Sequence, residues 1–432
     1  MSRILFLILI SFFLVNCSLN NSSKMWNKKN QNTQNNENVK VILKKKDNLQ
    51  KELNPNIKFD LSNIKYKNNI NDLKNNFGSS DYRGSLSKIN DYKFSKFKDV
   101  EKLNFKPLFL KNSFIFFDKT GSIIRYDFDE KIIWKKNYYK KSEKKISPKL
   151  NFSIKGNNLI VADNIAKIYS IDITSGDLLW STFNNYPLNS EIKIYKDNFF
   201  VVDYKNTLRC FKIIDGSECW NVPTENSLTI SGAKYSIIIS NDLVIFNNSI
   251  GDITAVNIST GLINWQLPTQ SSNIINESYS FINSQLVADE NSIYFSNNRN
   301  EFYSVDLTKG VIKWMNRINS TITPVLVNDL IFTISENGFL ITIQKNQGNI
   351  LRINDIYKNY KDKYRKKVKP VGFAIGHNKL YLSNSDGRMT QIELDSGKSV
   401  KLIKISGNTI SKPFIHKGNL FVIKNGSVIK YD

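Results

Sequence analysis

From residue 105 to the C-terminus the chain is a succession of short apolar runs broken by turns rich in Asn, Asp, Lys and Gly. Within many runs apolar and polar positions alternate, the period of a half-buried β-strand. The runs recur as a unit. Its clearest copy reads Tyr169-Ser170-Ile171-Asp172-Ile173-Thr174-Ser175-Gly176-Asp177-Leu178-Leu179-Trp180, and others run Ala255 to Trp265 and Ser304 to Trp314. A variant spans Cys210 to Trp220 around Gly216, and a copy one residue shorter spans Tyr126 to Trp134. Weaker copies surround Gly348, with Arg352 in the tryptophan position, and Gly397, with Lys401 there. Trp134, Trp180, Trp220, Trp265 and Trp314 occupy one repeat position and only Trp26 does not, which excludes chance placement.

Each unit reads as a four-stranded antiparallel sheet: an alternating strand, a tight turn whose Gly supplies positive φ, and a strand bearing the Trp. A further hairpin precedes each motif, as in Lys155 to Val161 and His377 to Leu382. The glycines at 176, 216, 261, 310, 348 and 397 are 40, 45, 49, 38 and 49 residues apart. Spacing of that size is one blade per repeat, so an all-β propeller is expected, with the tryptophans as plates between blades. Seven complete units start near residues 113, 158, 198, 242, 291, 329 and 378, and an eighth begins at Asn419 and stops at Asp432, where Asp172 stands in the second unit. Its outer strand is missing, and an open edge invites aggregation. The alternating stretch Ile89 to Phe97 is expected to return and supply it, closing an eight-bladed ring over residues 86–432.

The segment ahead of the ring has a different pattern. Arg3 followed by the apolar stretch Ile4 to Val15 has the form of a signal peptide, too short for an ordinary spanning helix. Leu14-Val15-Asn16-Cys17 resembles a bacterial lipobox, with Asn16 where Gly, Ala or Ser is usual, and this implies residues 1–16 as signal and acylation of Cys17. A cleaved secretory signal with an incidental cysteine is the alternative. Acyl chains such as palmitate would hold the protein to a membrane surface, and Ser18 after the cysteine favours the outer membrane by the same resemblance. Residues 17–85, rich in Asn, Lys, Gln and Ser, read as a largely disordered tether.

Composition qualifies this picture. With 61 Lys and Arg against 38 Asp and Glu the formal charge is +23, which by itself points to an anionic partner. Abundant Lys, Asn and Ile together suggest an AT-rich genome, so part of the charge is compositional, and export removes nucleic acid as a partner. An envelope propeller binding an anionic polymer remains open. Of the cysteines, Cys210 and Cys219 flank one turn in an oxidising compartment. If Cys210 lies opposite Trp220, Cys219 is one residue out of register, and strand alternation would turn the sulfurs to opposite faces. Free thiols are expected on that register. His377 and His416 fall in hairpin turns, no calcium-loop or phosphate-loop spacing occurs, and Asp127, Asp172 and Asp306 recur with the repeat, a structural role.

The Asp-x-x-Thr-Gly-x-x-x-Trp pattern is similar to quinoprotein-type propeller repeats. With the lipobox, tether and eight units, the chain resembles the propeller lipoprotein family of the outer-membrane β-barrel assembly machinery. That resemblance implies a non-enzymatic scaffold without cofactor or metal. It would be lipid-anchored at the periplasmic face of the outer membrane and monomeric within a hetero-complex. Its partners would be BamA, through its periplasmic domains, and the other Bam subunits, and it would assist insertion of β-barrel proteins. Val39 to Pro55 and Asn75 to Gly78 also resemble the N-terminal extension of some members. By order along the blades, the family's two BamA-contacting stretches fall at Leu228-Thr229-Ile230-Ser231, with Ser231 replacing an arginine, and at Phe281-Ile282-Asn283, without the family's carboxylates. Loops of this class, with the basic stretches Lys135 to Lys145 and Tyr360 to Lys369, should share one face of the ring. The same repeats occur in quinoprotein dehydrogenases that use pyrroloquinoline quinone and calcium, the enzyme alternative. The adjacent cysteines of those enzymes have no counterpart here.

Overall fold

The computed structural model describes residues 51–61, 75–97, 105–225, 234–269 and 281–432. The second strand of each repeat is buried over most of its length, and over all of it in Ser113–Phe117, Leu243–Asn247 and Ser292–Ser296. Both faces of such a strand must therefore be covered, which explains its unbroken apolar run. The outer strands show the other pattern: in Ile263–Leu267 and Ile312–Asn316 half-buried residues alternate with exposed ones. Sheets graded in this way from inside to outside pack side by side around an axis. The sheets are eight, each with four strands in antiparallel meander order, the seventh carrying one extra short strand. Blade 1 spans Leu108 to Lys136, blade 2 Leu150 to Phe183, blade 3 Lys193 to Pro223 and blade 4 Ile237 to Leu267. Blade 5 spans Val287 to Asn316, blade 6 Val325 to Asp355 and blade 7 Pro370 to Lys404. The fold is an eight-bladed β-propeller, as the repeat predicts.

Blade 8 takes its three inner strands from Phe414 to Tyr431 and its outer strand from Lys88–Lys93, which runs antiparallel to Ser427–Tyr431. The closing strand is thus the one the alternation at Ile89 to Phe97 marks. Two further pieces of the predicted tether are built into the ring. Ser79–Ser80 adds in parallel to the inner strand of blade 7 at Ile375 and Gly376, while Asn76 reaches the carbonyl of Leu286 at 2.9 Å, so this stretch lies along the central channel. Leu53 bridges Ile353 on the outer strand of blade 6 through two backbone bonds.

The tryptophans join neighbouring blades by a specific bond. Each indole Nε1 donates to a carbonyl just past the third strand of the next blade: Trp134 to Ile173 (3.0 Å), Trp180 to Ile213 (2.9 Å), Trp220 to Ile258 (3.1 Å), Trp265 to Leu307 (3.1 Å) and Trp314 to Lys345 (2.9 Å). The same ring presses on the turn glycine of that blade. A Cβ at Gly216, where φ is +71°, would lie 2.5 Å from the Trp180 ring, and one at Gly310 would lie 2.5 Å from Trp265. Glycine is required there twice over, for its φ and for the approach of the ring. A register shift, a β-bulge, precedes every tryptophan position, for instance between Leu178 and Trp180. Such a bulge re-aims the side chain that follows it.

The bulge also corrects the cysteine geometry. Cys210 pairs with Trp220 and Phe211 with Glu218, so Cys219 is the extra residue and strict alternation does not apply to it. The Cys219 thiol lies within hydrogen-bonding reach of the buried Cys210, and burial first, then this neighbour, pushes the Cys210 thiol far up. The two sulfurs are unbonded yet adjacent, not on opposite faces. Burial likewise lowers the pKa of His416, whose ring stacks on Phe109 at 4.8 Å with Nε2 3.2 Å from the Leu110 carbonyl.

Candidate docking face and channel mouth

Backbone bonds sort the loops onto two faces. Ile173 N donates to Asn157 O and Leu307 N to Asn291 O, placing the glycine turns beside the first hairpins of their blades. On the other face Asn184 N donates to Ala166 O and Thr224 N to Asn206 O, so outer-strand ends meet the turns between second and third strands. Blade-to-blade loops leave from this second face. The basic stretches emerge there, and each forms a short helix, Lys141–Lys145 and Asp362–Arg365. Asp127, Asp172 and Asp306 sit in the turns between third and outer strands, accepting backbone N–H groups two to four residues ahead; in the first of these turns Glu130, not a glycine, takes the positive φ. Their carboxylates are therefore engaged in turn formation.

Leu228, Ile230 and Ser231 fall in sequence between blade 3 and blade 4 and, with Cys17, lie outside the described residues. Phe281 and Asn283, in the following loop, are described and buried, at 6 and 8 % exposure. Phe281 packs on Gly251, with the Arg299 guanidinium 5.1 Å from its ring centre, and Asn283 bridges Asn297. These two residues shape the loop and offer little contact area. The exposed apolar residues on neighbouring loops are others: Ile146 (60 %), Phe183 (63 %) and Tyr186 (41 %). Ile146 and Tyr186 are apolar residues inside polar connecting stretches, a signal present in the sequence but overshadowed by the repeat. Among the described residues no helix is long and apolar enough to cross a membrane.

The channel opens on this face through a ring of polar side chains just ahead of the inner strands. Glu191 is buried and ion-paired to Lys106 (3.3 Å) and Lys193 (3.0 Å), and Gln285 donates to it. Lys193 also donates to Asn76 of the channel segment at 2.8 Å. The lysines hold the Glu191 carboxyl far below its ordinary range despite its burial. No group of three or more His, Cys, Asp or Glu among the described residues could hold a metal. A carboxylate already claimed by ammonium groups is no ligand for calcium, so this donor set does not fit the quinoprotein cofactor pair.

Comparison with known proteins bears on identity. A family model described as outer membrane protein assembly factor BamB matches residues 119–354, more than half of the chain and all five tryptophan clasps. The chain belongs to this family. Outer membrane protein assembly factor BamB of Moranella endobia (strain PCIT) is 22 % identical over 278 residues, covering 63 % of this chain and 69 % of that protein. BamB of Yersinia pestis is 20 % identical over 298 residues, covering 62 and 69 %. The crystal structure of BamB from Moraxella catarrhalis superposes with a TM-score of 0.63 at 14 % identity, over 80 % of this chain and 97 % of that one. A europium-containing methanol dehydrogenase reaches 0.62 at 9 % identity, over 81 and 88 %. At such identities both structures speak for the propeller fold, which BamB shares with quinoprotein enzymes.

Proposed function

We propose that this chain is a non-enzymatic scaffold of the outer-membrane β-barrel assembly machinery. In this reading it binds the periplasmic domains of BamA beside the other Bam subunits and assists insertion of β-barrel proteins. The observation that carries the reading is the family match through residues 119–354. Cys17 is the acylation site, and its chains hold the protein at the periplasmic face of the outer membrane, with the residues after it as a leash. Docking uses the face from which the blade-to-blade loops emerge. Leu228 and Ile230 are its apolar anchors, and Ser231 flanks them. Buried Phe281 and Asn283 set the shape of the adjacent loop, and exposed Phe183 and Tyr186 extend the apolar surface. A few large side chains carry most of an interface's energy, so the lysines around them govern encounter rate and salt dependence.

The test uses full-length protein in intact envelopes. Leu228→Asp together with Ile230→Asp is expected to abolish co-purification with BamA while leaving the thermal unfolding midpoint unchanged, because a buried charge would lack a partner. Wild-type binding by that variant overturns the docking face; wild type that never binds BamA overturns the scaffold reading itself. Cys17→Ser is expected to move the protein from the membrane to the soluble fraction, and unchanged fractionation overturns the anchor.

A further inference from the structure

Five side chains converge at the channel mouth from blades distant in sequence. Lys106 precedes the inner strand of blade 1, Glu191 and Lys193 begin that of blade 3, Lys234 precedes that of blade 4, and Lys412 that of blade 8. The register is regular: 106, 191 and 412 each stand two residues before an inner strand, and 234 stands three before. The ring topology therefore brings four ammonium groups around one carboxylate. Glu191 pairs directly with two of them. Burial, then repulsion from Lys106, Lys193 and Lys412, lowers the pKa of Lys234 to about 7, against an opposing pull from Glu191.

Two adjoining cavities lie between these groups. One of about 40 Å³ is lined by Lys106, Glu191, Lys193 and Lys234. The other, of about 70 Å³, is lined by Lys106, Lys412, Thr323 and the channel segment at Asn76 to Ser80. Packing of blades does not require this excess of positive charge; desolvating like charges opposes folding. Its contribution from four blades, each lysine within three residues of an inner-strand start, makes it a property of the channel rather than of a single loop. Small volume, enclosed walls and ammonium donors from several directions together suit a compact anion.

We propose that the channel mouth binds a compact oxyanion, a phosphate or carboxylate group, between Lys106, Lys193, Lys234 and Lys412. Glu191 is the internal competitor that holds Lys106 and Lys193 in place and limits affinity. Because Lys193 also holds Asn76, the bound anion links blades 1, 3, 4 and 8 to the threaded N-terminal segment. This site is independent of the docking reading above, and its chemistry requires no partner protein.

The experiment is thermal unfolding of the mature wild-type protein at pH 7, titrated with inorganic phosphate or with succinate while chloride keeps ionic strength constant. A ligand that binds only the folded state raises the midpoint saturably. The expected result is such a rise with at least one probe. Lys234→Gln and Lys412→Gln, one lining each cavity, should each weaken apparent affinity about tenfold, the loss of one charge-assisted bond. Glu191→Gln should tighten it. A response to phosphate alone assigns a tetrahedral oxyanion, and one to succinate alone a carboxylate; either supports the site. No saturable rise with either probe overturns it, as does a wild-type response in both lysine variants.

Discussion

Two arcs of the ring are joined differently. From blade 1 to blade 6 every junction is the same clasp, an indole over a glycine turn with Nε1 on a carbonyl. From blade 6 round to blade 1 the equivalent carbonyls are met by other donors. Arg352, fully buried, occupies the tryptophan position of blade 6 and donates to Leu394 O (2.9 Å) and Asp395 O in blade 7. It also reaches Ile57 O (2.9 Å) and lies 4.7 Å from the Phe59 ring. Lys401 fills that position in blade 7 and donates to Ser85 O (2.8 Å), while Asp432 O, just past the third strand of blade 8, accepts from the Tyr82 hydroxyl. At the last junction Tyr92 of the closing strand donates to Phe128 O at 2.9 Å. The clasp is thus defined by its acceptor. An apolar plate serves where two blades meet without help from the N-terminal segment. Where that segment joins, polar donors serve instead, and Arg352 alone gathers three carbonyls.

Deleting residues 86–97 should have the largest effect, because it opens the last blade along its full edge. Loss of soluble monomer in size-exclusion chromatography is expected, and a soluble deletion of wild-type stability would show that the polar arc does not close the ring. Next, Trp180→Ala and Trp265→Ala should each cost about 3 kcal/mol in denaturant unfolding, the low end for large aromatics because both rings are half-buried; losses under about 1 kcal/mol would remove the indoles from the clasp. Arg352→Leu should cost about 1–3 kcal/mol by leaving buried carbonyls unsatisfied. Its effect and that of deleting residues 51–61 should be non-additive in a double-mutant cycle, since the two share a partner. Smallest is Tyr92→Phe, about 1 kcal/mol for one hydroxyl bond with the packing retained. An equal cost for Tyr92→Phe and Tyr92→Ala would mean that the ring contributes nothing.

The blade count and the closing strand were legible because strand period, glycine turns and tryptophans repeat locally. Arg352 and Lys401 could be placed in the tryptophan position by the same count, but their acceptors could not, because Ile57 and Ser85 come from far upstream. Cys219 was misjudged because alternation fails at a bulge. Phe281 resembled an exposed anchor since an aromatic in a polar loop gives no sign of whether it folds inward onto Gly251. The lysines of the channel mouth are scattered through sequence. They become a group only once the inner strands are known, because each lies within three residues of the start of one.

The closing strand also fixes the timing of folding. Ser87 and Asp432, joined by a backbone-to-carboxylate bond, are separated by 345 residues. The N-terminal strand is therefore synthesised hundreds of residues before its pairing partner. Until then the strand Lys88–Lys93 has no native neighbour, and contacts of such sequence separation carry the greatest loop-closure cost and form slowly. The blades can assemble in order along the emerging chain, but cooperative closure must await the strand Ser427–Tyr431. A chaperone that shields residues 75–97 during that interval would act at the slowest step.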